Sequence, residues 1–199
     1  MSRHVAMAKA GKAIFAASAL TALLVSPALA GPVVEAAKRS EELLAAGKPL
    51  AAWEAVERAA DAVWEKMPLR IAKALFVVGD PRGYGIFDPR ENNVFKPGET
   101  IVVYAEPVGF GHRRVNGINE IDLDVGLIVR DKSGKTVASQ GSFGQFRLRS
   151  RRRNREFFLK LTISLKGAPA GDYVLSFPIT DKVKNRKTEF SLPFRIVAE

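Results

Sequence analysis

The chain has 199 residues, with 31 Lys and Arg against 21 Asp and Glu, and no cysteine. A formal charge of +10 favours anionic partners. The absence of cysteine excludes disulfides, thiol chemistry and the usual zinc frameworks, so any core must hold by packing alone.

The first thirty residues read as a secretory signal peptide. Arg3, His4, Lys9 and Lys12 form a basic start without an acid. An apolar run, AIFAASALTALLVSPALA, follows from Ala13 and ends in the small-x-small site Ala28-Leu29-Ala30. A membrane anchor fits less well, because the run is short and contains Pro27. With no cysteine after it and no twin arginine, the pattern points to the general secretion route without a lipid anchor. A secreted chain without disulfides suits the bacterial periplasm. Cleavage removes Arg3, Lys9 and Lys12 and lowers the charge from +10 to +7. Export points away from nucleic acid and toward lipid headgroups, lipopolysaccharide, acidic glycans or an envelope protein, with no membrane-spanning segment left after cleavage.

Residues 31–68 are predicted to form an α-helical hairpin. VVEAAKRSEELLAAG ends at Gly47, a C-terminal breaker, and Pro49 suits the first turn of a second helix. Leu50, Trp53, Val56, Ala60, Val63, Trp64 and Met67 recur at helical spacing, which predicts one buried stripe on that helix. Both tryptophans are expected to pack the hairpin against the next domain. The pair is similar to one hairpin of the tetratricopeptide type, but a single unrepeated hairpin makes no solenoid.

Residues 69–199 switch to a period of two. Ile121, Leu123, Val125, Leu127 and Val129 alternate with Glu120, Asp122, Asp124 and Arg130, and DKSGK then marks a hairpin turn. Phe157 to Leu165, Tyr173 to Ile179 and Phe190 to Ile196 repeat the pattern. With LRIAKALFVV and ETIVVYAEPV this gives about seven strands, an immunoglobulin-like antiparallel β-sandwich. GDY before a strand fits a tyrosine corner, and Pro178 and Pro193 mark edges or bulges.

GYGIFDPRENNVFKPGETIVVYAEPVGFG, Gly83 to Gly111, resembles an uncharacterised family of bacterial exported proteins with immunoglobulin-like domains. The closing GDYVLSFPITDKVKNRKTEFSLPFRI is similar to the last hairpin of many bacterial immunoglobulin-like domains. The resemblance implies fold and export and brings no activity.

Three features remain as candidate sites. RLRSRRRNR places Arg147, Arg149, Arg151, Arg152, Arg153 and Arg155 at a strand end, a tight loop and the start of a strand at Glu156. Such arginines grip phosphate or carboxylate, or else pair with the stripe Glu120, Asp122 and Asp124, which alternatively binds calcium. Three acids do not neutralise six arginines. The loop GDPRGYGIFDPRENN offers Arg82, Tyr84, Phe87, Arg90 and Asn92 to a sugar-like ligand, though Asp80-Pro81 and Asp88-Pro89 first of all start turns. After cleavage His112 is the one histidine, read as a solvated loop residue beside Arg113 and Arg114. The sequence therefore supplies no catalytic set, metal site or cofactor motif. The reading is a non-enzymatic docking module for an anionic envelope component or a partner protein. The alternatives are a hydrolase of envelope polymers, using a carboxylate pair, and a structural accessory subunit, with an exposed apolar stripe on its helices.

The first expected outcome concerns export: the mature protein begins at Gly31. Intact-mass spectrometry of the native protein tests it, and a mass that includes Met1 to Ala30 rejects it.

Overall fold

A computed structural model describes residues 31–164 and 166–198. The proposed signal peptide and Leu165 lie outside the described residues.

Two helices open the described chain, α1 (Pro32–Ala45) and α2 (Pro49–Lys66). Each begins with proline, whose missing N–H costs nothing in a first turn. Gly47 reverses the chain at φ 67°. Its N–H bonds the Leu44 carbonyl at 3.0 Å and the Lys48 N–H bonds that of Leu43 at 2.9 Å, the paired closure of a Schellman turn.

Nine strands follow: β1 (Arg70–Phe76), β2 (Val94–Phe95), β3 (Thr100–Val108), β4 (Arg113–Val115), β5 (Ile118–Asp131), β6 (Thr136–Ser150), β7 (Leu159–Ser164), β8 (Gly171–Asp181) and β9 (Arg186–Ile196). They form two sheets. The smaller is ordered β1-β3-β7 and is antiparallel throughout. The larger runs β2-β9-β8-β5, with β6 along the other side of β5 and β4 beside the start of β5. Its one parallel contact joins β2 to β9. The alternation seen in sequence fixes the faces. Ile121, Leu123, Val125 and Val129 of β5 meet Leu159, Leu161 and Ile163 of β7 and Leu175, Phe177 and Ile179 of β8 in one core, all at most 3% exposed. At the corner before β8 the Tyr173 hydroxyl donates to the Pro169 carbonyl at 2.8 Å. No helix among the described residues is long and apolar enough to cross a membrane.

Two expectations are corrected. The strand predicted from Glu156 starts at Leu159. The larger correction concerns α2. Leu50, Trp53, Val56 and Val63 are exposed by 72%, 59%, 42% and 49%, and of the predicted stripe only Trp64 is buried. The helices meet instead through Leu43, Ala52 and Ala55, because small side chains let two helix axes approach closely. Trp64 therefore packs against the sheets and Trp53 does not.

Replacing Tyr173 by Phe removes the corner hydrogen bond while keeping the ring. The expected loss is about 1 kcal/mol, or roughly 2–4 °C in melting temperature. Identical thermal melts for the two proteins would assign the hydroxyl no stabilising role.

Candidate functional site

The arginine run divides into three parts. Arg147 and Arg149 lie on β6, opposite Asp122 and Glu120 in the β5 register. They pair with those carboxylates at 3.1 and 3.0 Å. Arg113 of β4 reaches Glu120 from the other side at 2.9 Å, so this carboxylate lies between two guanidinium groups. Arg113 first, then Arg149, holds it below the ordinary carboxylate range. Asp124 accepts from the Ser142 hydroxyl at 2.6 Å. The acidic stripe is thus committed to cross-strand partners, and no group of three His, Cys, Asp or Glu among the described residues is arranged to hold a metal ion.

Arg153 and Arg155 turn the other way, onto α2. Arg155 donates to Asp61 at 2.8 Å and approaches Glu57 at 4.0 Å. Arg153 reaches Asp61 at 3.3 Å and bonds Glu65. Glu65 also accepts from Lys184 at 2.7 Å. That ammonium and then Arg153 hold its carboxyl down to about 2, against the opposing effect of burial. The expectation that three acids stood against six arginines omitted these residues. Glu57, Asp61 and Glu65 recur every four residues, which on a helix makes a single acidic face. That spacing was the available signal.

Arg151 and Arg152 remain. Both are exposed, and neither has an ion-pair partner among the described residues. Their loop is fixed by its backbone. The Asn119 side-chain amide donates to the Arg151 carbonyl at 3.3 Å, and the Arg152 N–H donates to the Ser150 hydroxyl at 3.2 Å. Arg114, also exposed, pairs in register with Asn119 on β4, so it lies at the same end of the sheet. A concavity of about 350 Å³ opens beside the loop, lined by Arg152, Arg153, Asn154, Arg155 and Glu156.

The clamp adjoins a buried junction at the end of α2. The Trp64 indole N–H donates to the Phe110 carbonyl at 2.8 Å, and the two rings meet edge to face at 5.0 Å. Arg186 donates to the carbonyls of Met67, Gly109 and Glu65 at 2.7, 2.8 and 2.9 Å, satisfying the last acceptors of the helix with a cation. Gly109 has φ 72°, and a Cβ there would meet the Pro68 carbonyl oxygen at 2.2 Å. Asp181, fully buried, accepts from the Gly111 and Val183 N–H groups at 2.7 and 2.8 Å.

His112 belongs to this junction and is not the solvated residue expected. One ring nitrogen, Nε2, lies 2.7 Å from the Asn154 carbonyl. A carbonyl only accepts, so Nε2 carries the proton and Nδ1 holds a lone pair, buried with no hydrogen-bond partner among the described residues. Burial pushes its pKa below the ordinary value, helped by Arg153; the Asn154 carbonyl, Glu65 and Asp61 oppose the shift.

The Gly79–Asn93 loop crosses the outer face of the small sheet. Its turns are closed by its own backbone, with Arg82 N–H to the Ile86 carbonyl at 2.9 Å and Val78 N–H to that of Asp88 at 2.8 Å. Phe87 packs on Tyr104 at 4.3 Å, and the Gly85 N–H donates to the Tyr104 hydroxyl at 2.7 Å. That hydroxyl donates to the buried Glu106 at 2.7 Å. Burial raises the Tyr104 pKa to about 12. Tyr84 is half-buried; burial, then the charges of Glu106 and Glu156, raise its pKa. Arg90 bonds Glu99 and the Val94 carbonyl, both at 2.7 Å, and covers the Phe95 ring. Asn92 accepts from the Val94 N–H at 3.0 Å. Of the five loop candidates Arg82, 3.6 Å from Asp88, and Asn92 are exposed, and Tyr84, Phe87 and Arg90 are half-buried. Phe87, Arg90 and Asn92 make contacts that hold the loop to the rest of the chain.

No protein-family model matches the chain, and no curated protein matches it. Among solved structures, it is similar to the alkylpurine DNA glycosylase AlkC of Pseudomonas fluorescens, bound to DNA containing an abasic site analog. That match is 12% identical with a TM-score of 0.36, over 72% of this chain and 34% of that one. It is also similar to the sporulation control protein Spo0M of Bacillus subtilis, 12% identical with a TM-score of 0.35, over 67% of this chain and 51% of that one. The chain spans about a third and about half of their lengths. Neither likeness bears on activity.

The His112 geometry sets a pH dependence. Its folded pKa lies below that of the unfolded chain, so between the two values the unfolded state binds the extra proton. Stability is full above the unfolded value of about 6.5 and falls as the pH drops toward the folded value. Chemical denaturation at about pH 7.5 and about pH 5.5 should show this loss, and His112→Gln should reduce it. A loss of equal size in His112→Gln would assign it to other groups.

Proposed function

We propose that this is an exported periplasmic docking module without catalytic activity, holding an anionic envelope component at the end of its larger sheet. The observation that carries it is the fate of the arginines. Arg147, Arg149, Arg153 and Arg155 are neutralised within the chain, whereas Arg114, Arg151 and Arg152, at one end of the larger sheet, are exposed and have no ion-pair partner among the described residues. Like charges gathered at one end of a sheet repel, and a phosphate or carboxylate bound by planar guanidinium donors relieves that repulsion. The adjoining concavity is lined mainly by arginines, which suits an anion better than the acidic cleft a glycan hydrolase needs.

Export rests on the basic and apolar N-terminal pattern with its Ala28-Leu29-Ala30 site. An immunoglobulin-like sandwich is supported by strand order. Leaving aside the short β2 and β4, the first, second and fifth strands form one sheet, and the order in the other is seventh, sixth, third, fourth. The hydroxyl bond of Tyr173 to Pro169 has the form of a tyrosine corner. The accessory-subunit reading is favoured by a separate observation, the exposed apolar residues of the hairpin.

Arg151→Ala with Arg152→Ala should weaken binding to lipopolysaccharide or to vesicles of anionic phospholipid about tenfold or more, since each charge-assisted bond contributes about 1.5–3 kcal/mol. Wild-type binding should fall with added salt. Stability should change by less than about 1 kcal/mol, because neither side chain is paired. Arg153→Ala makes a poor probe here, because it also opens the clamp on α2. Binding to both materials by the double variant at wild-type strength rejects the proposal.

A further inference from the structure

The hairpin buries little of its own apolar surface. Its internal cluster is Leu43, Ala52 and Ala55, with Ala51 at the margin. Against this, Val33, Leu44, Trp53, Val56 and Val63 are between 42% and 59% exposed. At about 100° per residue, Val33 and Leu44 lie roughly 55–75° round α1 from the face it turns to α2. On α2, Val56, Val63 and Trp53 lie roughly 55–135° round from the Ala52 and Ala55 face, in the same rotational sense. In an antiparallel pair, equal senses of rotation lead to the same side. The five side chains therefore share one flank, on which Ala37 and Ala60 add uncharged surface and Glu41 stands at the margin.

We infer that this flank is the contact between two copies of the chain, which pair as a four-helix bundle. Both helices contribute to the flank, so a two-fold axis turns the same apolar strip onto itself, the condition for a closed symmetric dimer. The area is sufficient. An 18-residue helix is about 27 Å long and two packed helices are about 20 Å wide, so two flanks cover roughly 1,000 Å², where specific interfaces begin. The sandwich leaves most of the flank open. Asp61 and Glu65, which bind it, lie on the side of α2 away from the flank, and on the flank's own side Trp64 and Met67 enter the sheet core only at the end of the helix, beyond Val63. The chain's excess positive charge opposes self-association elsewhere, but this surface carries none of it.

Sedimentation equilibrium of the purified native protein at about 100 μM tests the inference, because dimers of such an interface persist at that concentration. The expected mass is that of two protomers, unchanged by added salt. Val56→Glu with Val63→Glu should weaken the dimer at least about tenfold, whereas Val137→Glu, an equally exposed valine on β6, should not. Circular dichroism checks that the helices persist. Should the double variant misfold, cross-linking replaces it. The chain has no cysteine, so Val63→Cys treated with a short bis-maleimide should give a covalent dimer and Val137→Cys should not. A monomeric wild type at that concentration, or equal cross-linking at both positions, overturns the inference.

Discussion

The molecule is organised around the C-terminal end of α2. A helix end buried against other structure leaves carbonyl groups without partners, and each is costly to strand. Arg186 meets two of them, from Glu65 and Met67, and with the same guanidinium holds the Gly109 carbonyl of the next layer. It reaches them because Asp181, fully buried, closes the β8–β9 turn around itself and draws in the Gly111 N–H. Gly109 and Gly111 are glycines for the same reason, since a Cβ at either would lie under 3 Å from Pro68 or from Val183 and Lys184. Trp64 and Phe110 seal the contact. Helix, connection and last hairpin thereby become one body.

Charge adds orientation to that fixed point. Exposed ion pairs contribute little one at a time, but Arg153, Arg155 and Lys184 meet Glu57, Asp61 and Glu65 as a network on half-buried ground. Six acidic and basic groups in register permit one rotation of α2 about its own axis and disfavour others. The same network accounts for His112. A ring beside Arg153, with one nitrogen spent on Asn154 and the other buried, is most stable uncharged.

The strands were legible because their signal is local. The alternation from Ile121 to Val129 and from Tyr173 to Ile179 states which face is buried without reference to any other segment. The loop was legible as turns for the same reason. What failed depends on partners distant in sequence. Leu50, Trp53, Val56 and Val63 have helical spacing, yet spacing alone does not say whether anything covers the stripe. The pairing of Arg153 with Glu65 spans 88 residues and that of Arg155 with Asp61 spans 94. An arginine run reads as an anion site until its partners are located, and here most of them lie on a helix that the strand pattern does not mention. His112 was misplaced likewise, by its charged neighbours in sequence instead of its aromatic neighbours in space.

These constraints also explain why the hairpin stands so bare. Helices of 14 and 18 residues are marginal alone, and a core of one leucine and two alanines adds little. Their order is therefore supplied from one end, where α2 enters the junction, and conveyed to α1 through the Gly47 turn. An element held at one end leaves its far surface uncovered by the sheets. In a freely diffusing monomer such a surface would be a liability for aggregation. A flank of little charge, with the opposite side of α2 densely ionic, is the distribution that the inferred contact between two copies would cover.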